Sequence, residues 1–198
     1  MKSEHITKTR PNHKFPSLKN RRTIAARNFL TLHYCYHLEY DAMVVSYCET
    51  ANKILYEVNG YYTPFIPHFI VHHKEAPPKA VYLDQGGTLT DSTLSKIATV
   101  YRRKNMDFCR ITAAEINSAP LLPNLHLLFR YARQIPTHAD QLAVFEFFKT
   151  RRAAELGDLG VFFHSKGLNP TMPYSLIFHH QLTTELNKPL GVNSIVRP

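Results

Sequence analysis

Apolar residues recur at spacings of four, three and four through Ala25, Phe29, Leu32 and Tyr36, which predicts a helix over about 21–38 with one apolar face. The period then changes. Val44-Val45-Ser46-Tyr47 and Lys53 to Val58 are rich in β-branched and aromatic residues and read as strands. Asn59-Gly60 is a strong hairpin signal joining Ile54–Val58 to Tyr61-Tyr62-Thr63. A further strand, Phe69-Ile70-Val71, follows Pro67. Pro77-Pro78 turns the chain into another strand, Lys79 to Asp84, which Gly86-Gly87 ends. Helical spacing returns over 91–104, with Leu94, Ile97, Ala98 and Tyr101 on one face. Phe108 to Ile111 reads as a short strand, and Thr112 to Glu115 has the form of a capping box opening a helical turn. Asn124 to Gln134 is predicted helical with Leu125, Leu128 and Phe129 inward, and Pro136 separates it from a second helix near 138–155.

The last forty residues read as a different unit. Leu156 to Ser165 is short and apolar, Lys166 to Pro170 is a turn, Met172 to Leu182 suits a helix, and Thr183 to Val196 is long enough for a hairpin. Helix, turn, helix, hairpin is the order of a winged-helix module, in which Met172 to Leu182, ending in His179-His180, is either the recognition helix or a buried helix of the core. The central order of helix, strand, hairpin, strand, turn, strand, helix, strand predicts an α/β fold, a mixed sheet flanked by helices, as in the restriction-endonuclease-like core. The expected organisation is an extended basic arm at 1–21, the core at 22–135 and a helical, winged-helix-like module at 136–198.

Charge adds a partner to this picture. Residues 1–27 hold eight bases against one acid, Glu4, so they carry +7 of the chain's +9. Such a segment attracts phosphates through counterion release without reading sequence. Candidate DNA contacts are Lys14, Lys19, Arg21, Arg22 and Arg27 near the N-terminus, Arg102, Arg103 and Lys104 closing the helix at 91–104, and Arg151 and Arg152 near the end of the helix at 138–155. The bases at the two helix ends also complement the helix dipole. Cys35, Cys48 and Cys109 lie far apart with no C-x-x-C pair, which points to a reducing interior and a cytoplasmic protein. No stretch approaches the length of a membrane span, and the N-terminus has no signal-peptide core. No nucleophile elbow is present, and Gly86-Gly87 is not followed by the Lys of a phosphate loop. Among twelve histidines, His33, His37 and His68 with Asp84 are a possible zinc set, without diagnostic spacing. Phe145, Phe147, Phe148, Phe162 and Phe163 read as core or as a partner groove.

Residues 38–71 resemble the TnsA-type transposase endonucleases. Leu38-Glu39-Tyr40-Asp41 and Val44-Val45-Ser46-Tyr47-Cys48-Glu49 are similar to that family's L-E-F-D-x-x-V-x-x-Y-x-E-Q-P. Ile54 to Gly60 and Ile66-Pro67-His68-Phe69-Ile70-Val71 are similar to its I-x-Y-x-x-x-G and Y-x-P-D-F-x-V. Phe108 to Thr112 with Glu115-Ile116, and Asn124 to Leu128, resemble its closing pieces, and Pro189-Leu190 with Val196 its terminal segment. The resemblance implies a restriction-endonuclease-like fold and a subunit of a heteromeric transposition system that nicks transposon 5′ ends beside a DDE transposase and an ATPase regulator. Family chemistry needs a helix Glu, the Asp of P-D-F, and an acid two residues before a Lys, so that carboxylates hold Mg²⁺ and the Lys stabilises developing charge.

Here those positions hold Thr31, His68, Tyr82 and Asp84. Sliding the last strand by two puts Asp84 in the acid place and Gly86 where Lys belongs, so neither register restores the set. A hydroxyl, an imidazole and a phenol do not replace anionic oxygen for a hard cation. The expectation is a catalytically inactive, TnsA-like DNA-binding subunit without a cofactor, docking to a transposase or its ATPase regulator. Two alternatives stand beside it: an active Mg²⁺-dependent endonuclease using displaced ligands, and a stand-alone DNA-binding regulator of the same fold.

Overall fold

A computed structural model describes residues 13–50, 52–87 and 89–198. Part of the expected arm is a strand. His13–Ser17 (β1) pairs antiparallel with Arg22–Ala26 (β2), and Phe15, Ser17, Ile24 and Ala26 are buried at every second position. Lys14, Lys19, Arg21 and Arg22 therefore sit on or beside a hairpin rather than an extended tail. Residues 1–12, with the arm bases Lys2, Lys8 and Arg10, lie outside the described residues.

The helix expected from residue 21 starts later, as α1 (Phe29–Tyr40). Its expected inward face is also corrected. Leu30, Tyr34, Cys35 and Leu38 are buried, whereas Phe29 is 63% exposed. Apolar and aromatic residues surround this helix on all sides, so spacing alone does not set which stripe faces inward.

The strands follow as β3 (Val44–Glu49), β4 (Ile54–Val58), β5 (Tyr61–Phe65), β6 (Phe69–His73) and β7 (Lys79–Asp84), then α2 (Asp91–Arg103), β8 (Asp107–Thr112) and the short α3 (Ala113–Ile116). Four of them make one mixed sheet in the order β3-β6-β7-β8. β3, β6 and β7 are antiparallel neighbours, and β8 runs parallel to β7, with α2 as the crossover that a parallel pair requires. β4 and β5 form a separate hairpin. Its turn residues Asn59 (φ 51°) and Gly60 (φ 81°) both take the positive φ that a tight two-residue hairpin demands. The hairpin buries Ile54, Tyr56 and Phe65 against Ala80 of β7 and Ile97 and Tyr101 of α2. Thr90 caps α2 through Thr93 N–H, and the expected capping box opens α3, with Thr112 N–H on Glu115 Oε2 at 2.7 Å.

The chain forms two compact units. One comprises the residues up to Cys35 with Met43–Ile116; the other comprises Tyr36–Ala42 with Asn117–Pro198. Residues 117–135 and Tyr36–Ala42 thus group with the C-terminal segment. α4 (Leu121–Tyr131) belongs to it because its buried Asn124 ties the C-terminal segment together. Nδ2 donates to Leu186 O (3.0 Å) and Lys188 O (2.7 Å), and Oδ1 accepts from Leu190 N–H (2.8 Å). α5 (His138–Phe148) opens with a Thr137–Asp140 capping box and stops well before residue 155. β9 (Ala154–Glu155), α6 (Leu156–Ser165), α7 (Met172–Phe178), β10 (Thr183–Thr184) and β11 (Ile195–Arg197) complete the unit, with a small antiparallel sheet in the order β10-β11-β9.

α7 packs on α4 and α6, and all of it except Tyr174 is buried. Tyr174 stacks on Tyr131 at 5.0 Å, and Ser175 Oγ donates to Gln134 O. Of the two expectations for this stretch, the buried helix is the one observed. Among the described residues no helix is long and apolar enough to cross a membrane.

Candidate functional site

Alternation along β7 puts Tyr82 and Asp84 on the same side of the strand, and the start of β6 brings His68 beside them. His68 N–H donates to Val81 O at 2.8 Å, and the His68 and Tyr82 rings lie 5.6 Å apart. His68, Tyr82 and Asp84 therefore lie along the two inner strands of the sheet. Thr31 is buried in α1, where its N–H and its Oγ1 both donate to Asn28 Oδ1 at 2.9 Å. That places it as part of the helix start, where Asn28 acts as a cap.

Asp84 is the sole carboxylate of the set, and its oxygens are already engaged. Oδ1 accepts from the N–H groups of Gly86 (3.0 Å) and Gly87 (2.7 Å). Oδ2 accepts from Arg110 Nε (2.7 Å) and faces Arg110 Nη2 at 2.5 Å. The side chain is 3% exposed. The glycine N–H groups, and then the Arg110 guanidinium, hold the Asp84 carboxyl below its ordinary range. Gly87 has φ +72°, a left-handed backbone that turns the chain just after the N–H bound to the carboxylate. Arg110 extends further to Asp91, with Nη1 to Oδ1 at 3.6 Å.

His68 is equally committed. Its Nδ1 accepts from Leu83 N–H at 3.1 Å, which assigns the ring proton to Nε2. Burial, with the nearby charge of Arg27 added, pushes its pKa down to about 4, so the imidazole is neutral at pH 7. A ring with Nδ1 on a backbone N–H and a proton on Nε2 offers no lone pair to a cation.

A divalent metal therefore does not fit these residues as they stand. The hard-cation requirement is anionic oxygen with free lone pairs, and the single carboxylate is surrounded by three donors. Among the described residues no group of three or more His, Cys, Asp or Glu side chains is placed to hold a metal, which includes the zinc set suggested by the sequence.

Arg110 is the residue that sequence reasoning missed as part of this site. It stands 26 positions from Asp84 and meets it only because β8 lies parallel to β7, with Tyr82 opposite Arg110 and Asp84 opposite Thr112. The one signal for it was a lone base in an otherwise apolar strand, and a lone base on a strand most often faces water.

The ten candidate DNA-contact cations fall into three groups. Lys19, Arg22 and Arg27 have intramolecular partners. Lys19 Nζ donates to Val44 O (2.8 Å), Arg22 pairs with both oxygens of Glu49 (2.6 and 3.3 Å), and Arg27 reaches Thr50 O (3.5 Å). These three brace the N-terminal hairpin against β3 and the residue after it. Lys14, Arg21, Arg102, Arg103, Lys104 and Arg152 are exposed and have no ion pair among the described residues. Arg151 lies past the end of α5, its guanidinium 4.3 Å from the centre of the Phe147 ring. Phe147, Phe148 and Phe163 are core residues, as expected, whereas Phe145 is 70% exposed.

No protein-family model matches this sequence, and no curated protein matches it.

Proposed function

We propose that the chain is a non-cutting DNA-binding protein of the TnsA type, acting in transposition beside a DDE transposase or its ATPase regulator. The observation that carries the reading is Asp84. The only acid at the nuclease positions is locked by two backbone N–H groups and a guanidinium, so the pocket presents the neutralised end of an ion pair to any incoming phosphate or metal. The topology is in keeping with a restriction-endonuclease-like core: helix, three antiparallel strands, a crossover helix and a parallel fourth strand, in the order β3-β6-β7-β8. In the second unit, the order helix, strand, helix, helix, hairpin with a β10-β11-β9 sheet supports the winged-helix reading.

One detail modifies how such a module would work. A recognition helix must present its side chains to a groove, and α7 is buried along almost its whole length. DNA contact by the second unit then rests on exposed bases such as Arg152 and not on α7.

The test has two arms. Purified protein is incubated with supercoiled plasmid and Mg²⁺ or Mn²⁺, and separately titrated into a fluorescein-labelled duplex at several salt concentrations. The expected result is no nicking and salt-dependent binding, with the salt slope reduced on removal of residues 1–12. Loss of Lys2, Lys8 and Arg10 lowers that slope by up to about 2.7 in log–log terms, at about 0.9 per phosphate contact. Metal-dependent nicking abolished by Asp84→Ala would reinstate an active endonuclease. Absence of duplex binding at low salt would overturn the proposal altogether. Co-purification with a DDE transposase and an ATPase separates the transposition role from a stand-alone regulator.

A further inference from the structure

The groove between the β4–β5 hairpin and α2 has a composition of its own. Lys96, Val100 and Arg103 follow one another at spacings of four and three, which places them on one face of α2. That face forms one wall of an open groove of about 420 Å³. The opposite wall is the hairpin, contributing Leu55, Glu57 and Tyr62. Tyr62 stands directly across from Glu57, whereas Tyr61, its neighbour in the strand, is on the other face of the hairpin and does not line the groove. These two tyrosines are 78% (Tyr61) and 72% (Tyr62) exposed, on an element whose remaining aromatics, Tyr56 and Phe65, are buried. Lys96 and Arg103 make no ion pair among the described residues, nor do the adjacent Arg102 and Lys104. At 1.5 Å per residue, Lys96 and Arg103 are separated by about 10 Å along the helix axis.

An exposed phenol ring facing two cations across a groove is what an unpaired nucleic-acid strand needs. Cations follow the backbone and ring faces accept bases. A duplex does not offer the second contact, because its base faces are stacked on one another. We infer that this groove binds single-stranded DNA, with Tyr62 stacking on a base and Lys96 and Arg103 on phosphates. The inference rests on the DNA-binding reading above and adds a separate site for an unpaired segment, such as the strand exposed at a processed end.

The probe is a fluorescein-labelled oligo-dT of twenty nucleotides, compared with a twenty-base-pair duplex of mixed sequence. Tyr62→Ala is expected to weaken oligo-dT binding about tenfold with little change on duplex, since base–aromatic stacking is worth on the order of 1–3 kcal/mol and 1.4 kcal/mol is tenfold. Tyr62→Phe keeps wild-type binding because the ring remains, and Tyr61→Ala, on the other face of the hairpin, leaves oligo-dT binding unchanged. Lys96→Ala/Arg103→Ala lowers the oligo-dT salt slope by about 1.4, at about 0.7 per contact. Wild-type oligo-dT affinity in Tyr62→Ala, or equal losses on both probes, overturns this inference and leaves the DNA-binding reading standing. If the wild-type protein binds neither probe, both fall.

Discussion

Lowering the pH should destabilise this protein through His68 in a way that one substitution removes. In the folded chain the imidazole is neutral, with its pKa pushed down to about 4 by burial and by the charge of Arg27. In the unfolded chain it returns to an ordinary value near 6.5, so between those limits the unfolded state binds more protons than the folded one. Stability is complete above the unfolded pKa and falls as the pH drops toward the folded one. Integrating the linkage between the two values, at about 1.36 kcal/mol per unit, gives a loss of about 2 kcal/mol by pH 5 and about 3 kcal/mol by pH 4. His68→Asn isolates the contribution, because the amide oxygen can accept from Leu83 N–H as Nδ1 does while nothing titrates. Urea unfolding followed by circular dichroism at pH 7, 5 and 4 measures both proteins. Other groups titrate in the same window, so the quantity of interest is the wild-type loss minus the variant loss. Parallel stability curves for the two proteins would refute the picture of a buried neutral imidazole held between a backbone N–H and an arginine.

Two further outcomes are expected. Asn124→Ala leaves Leu186 O, Lys188 O and Leu190 N–H without their common partner and should cost about 3 kcal/mol, read as a shift in urea midpoint; a shift below about 1 kcal/mol would show that the C-terminal segment does not depend on that side chain. Burial pushes the Cys109 thiol up to about 11, so about one molecule in a thousand is thiolate at pH 8, and a disulfide reagent should modify Cys109 only when urea unfolds the chain; rapid modification in the native state contradicts this.

Much of the central sheet is legible in the sequence because local signals and the final structure agree. Asn59-Gly60 marks the turn of the neighbouring β4–β5 hairpin, Lys79 to Asp84 is a strand over the same residues, and Thr112 with Glu115 caps the helix it was expected to cap. The failures are non-local. β1, β2 and the turn joining them carry four Lys and Arg residues and one proline, and they form a hairpin because Phe15 and Ile24 alternate toward a core that no single segment reveals. α1 is apolar on every side, so its phase depends on what packs around it. α4 looked like part of the first unit by proximity in sequence, and joins the second through the carbonyls around residues 186–190. At the candidate site the sequence names the positions but not their occupants' partners. Arg110 and Leu83 N–H become neighbours of Asp84 and His68 only through strand register. The count of basic residues likewise overstated the N-terminal cations, because Lys19, Arg22 and Arg27 serve the fold.

The clasp around Asp84 has a consequence for any ion that enters. A cation seeking that carboxylate must first evict a guanidinium and detach two glycine amides, so filling the pocket and loosening the bend after β7 become one event. Occupancy there would be recorded less in the ion itself than in a backbone that has let go.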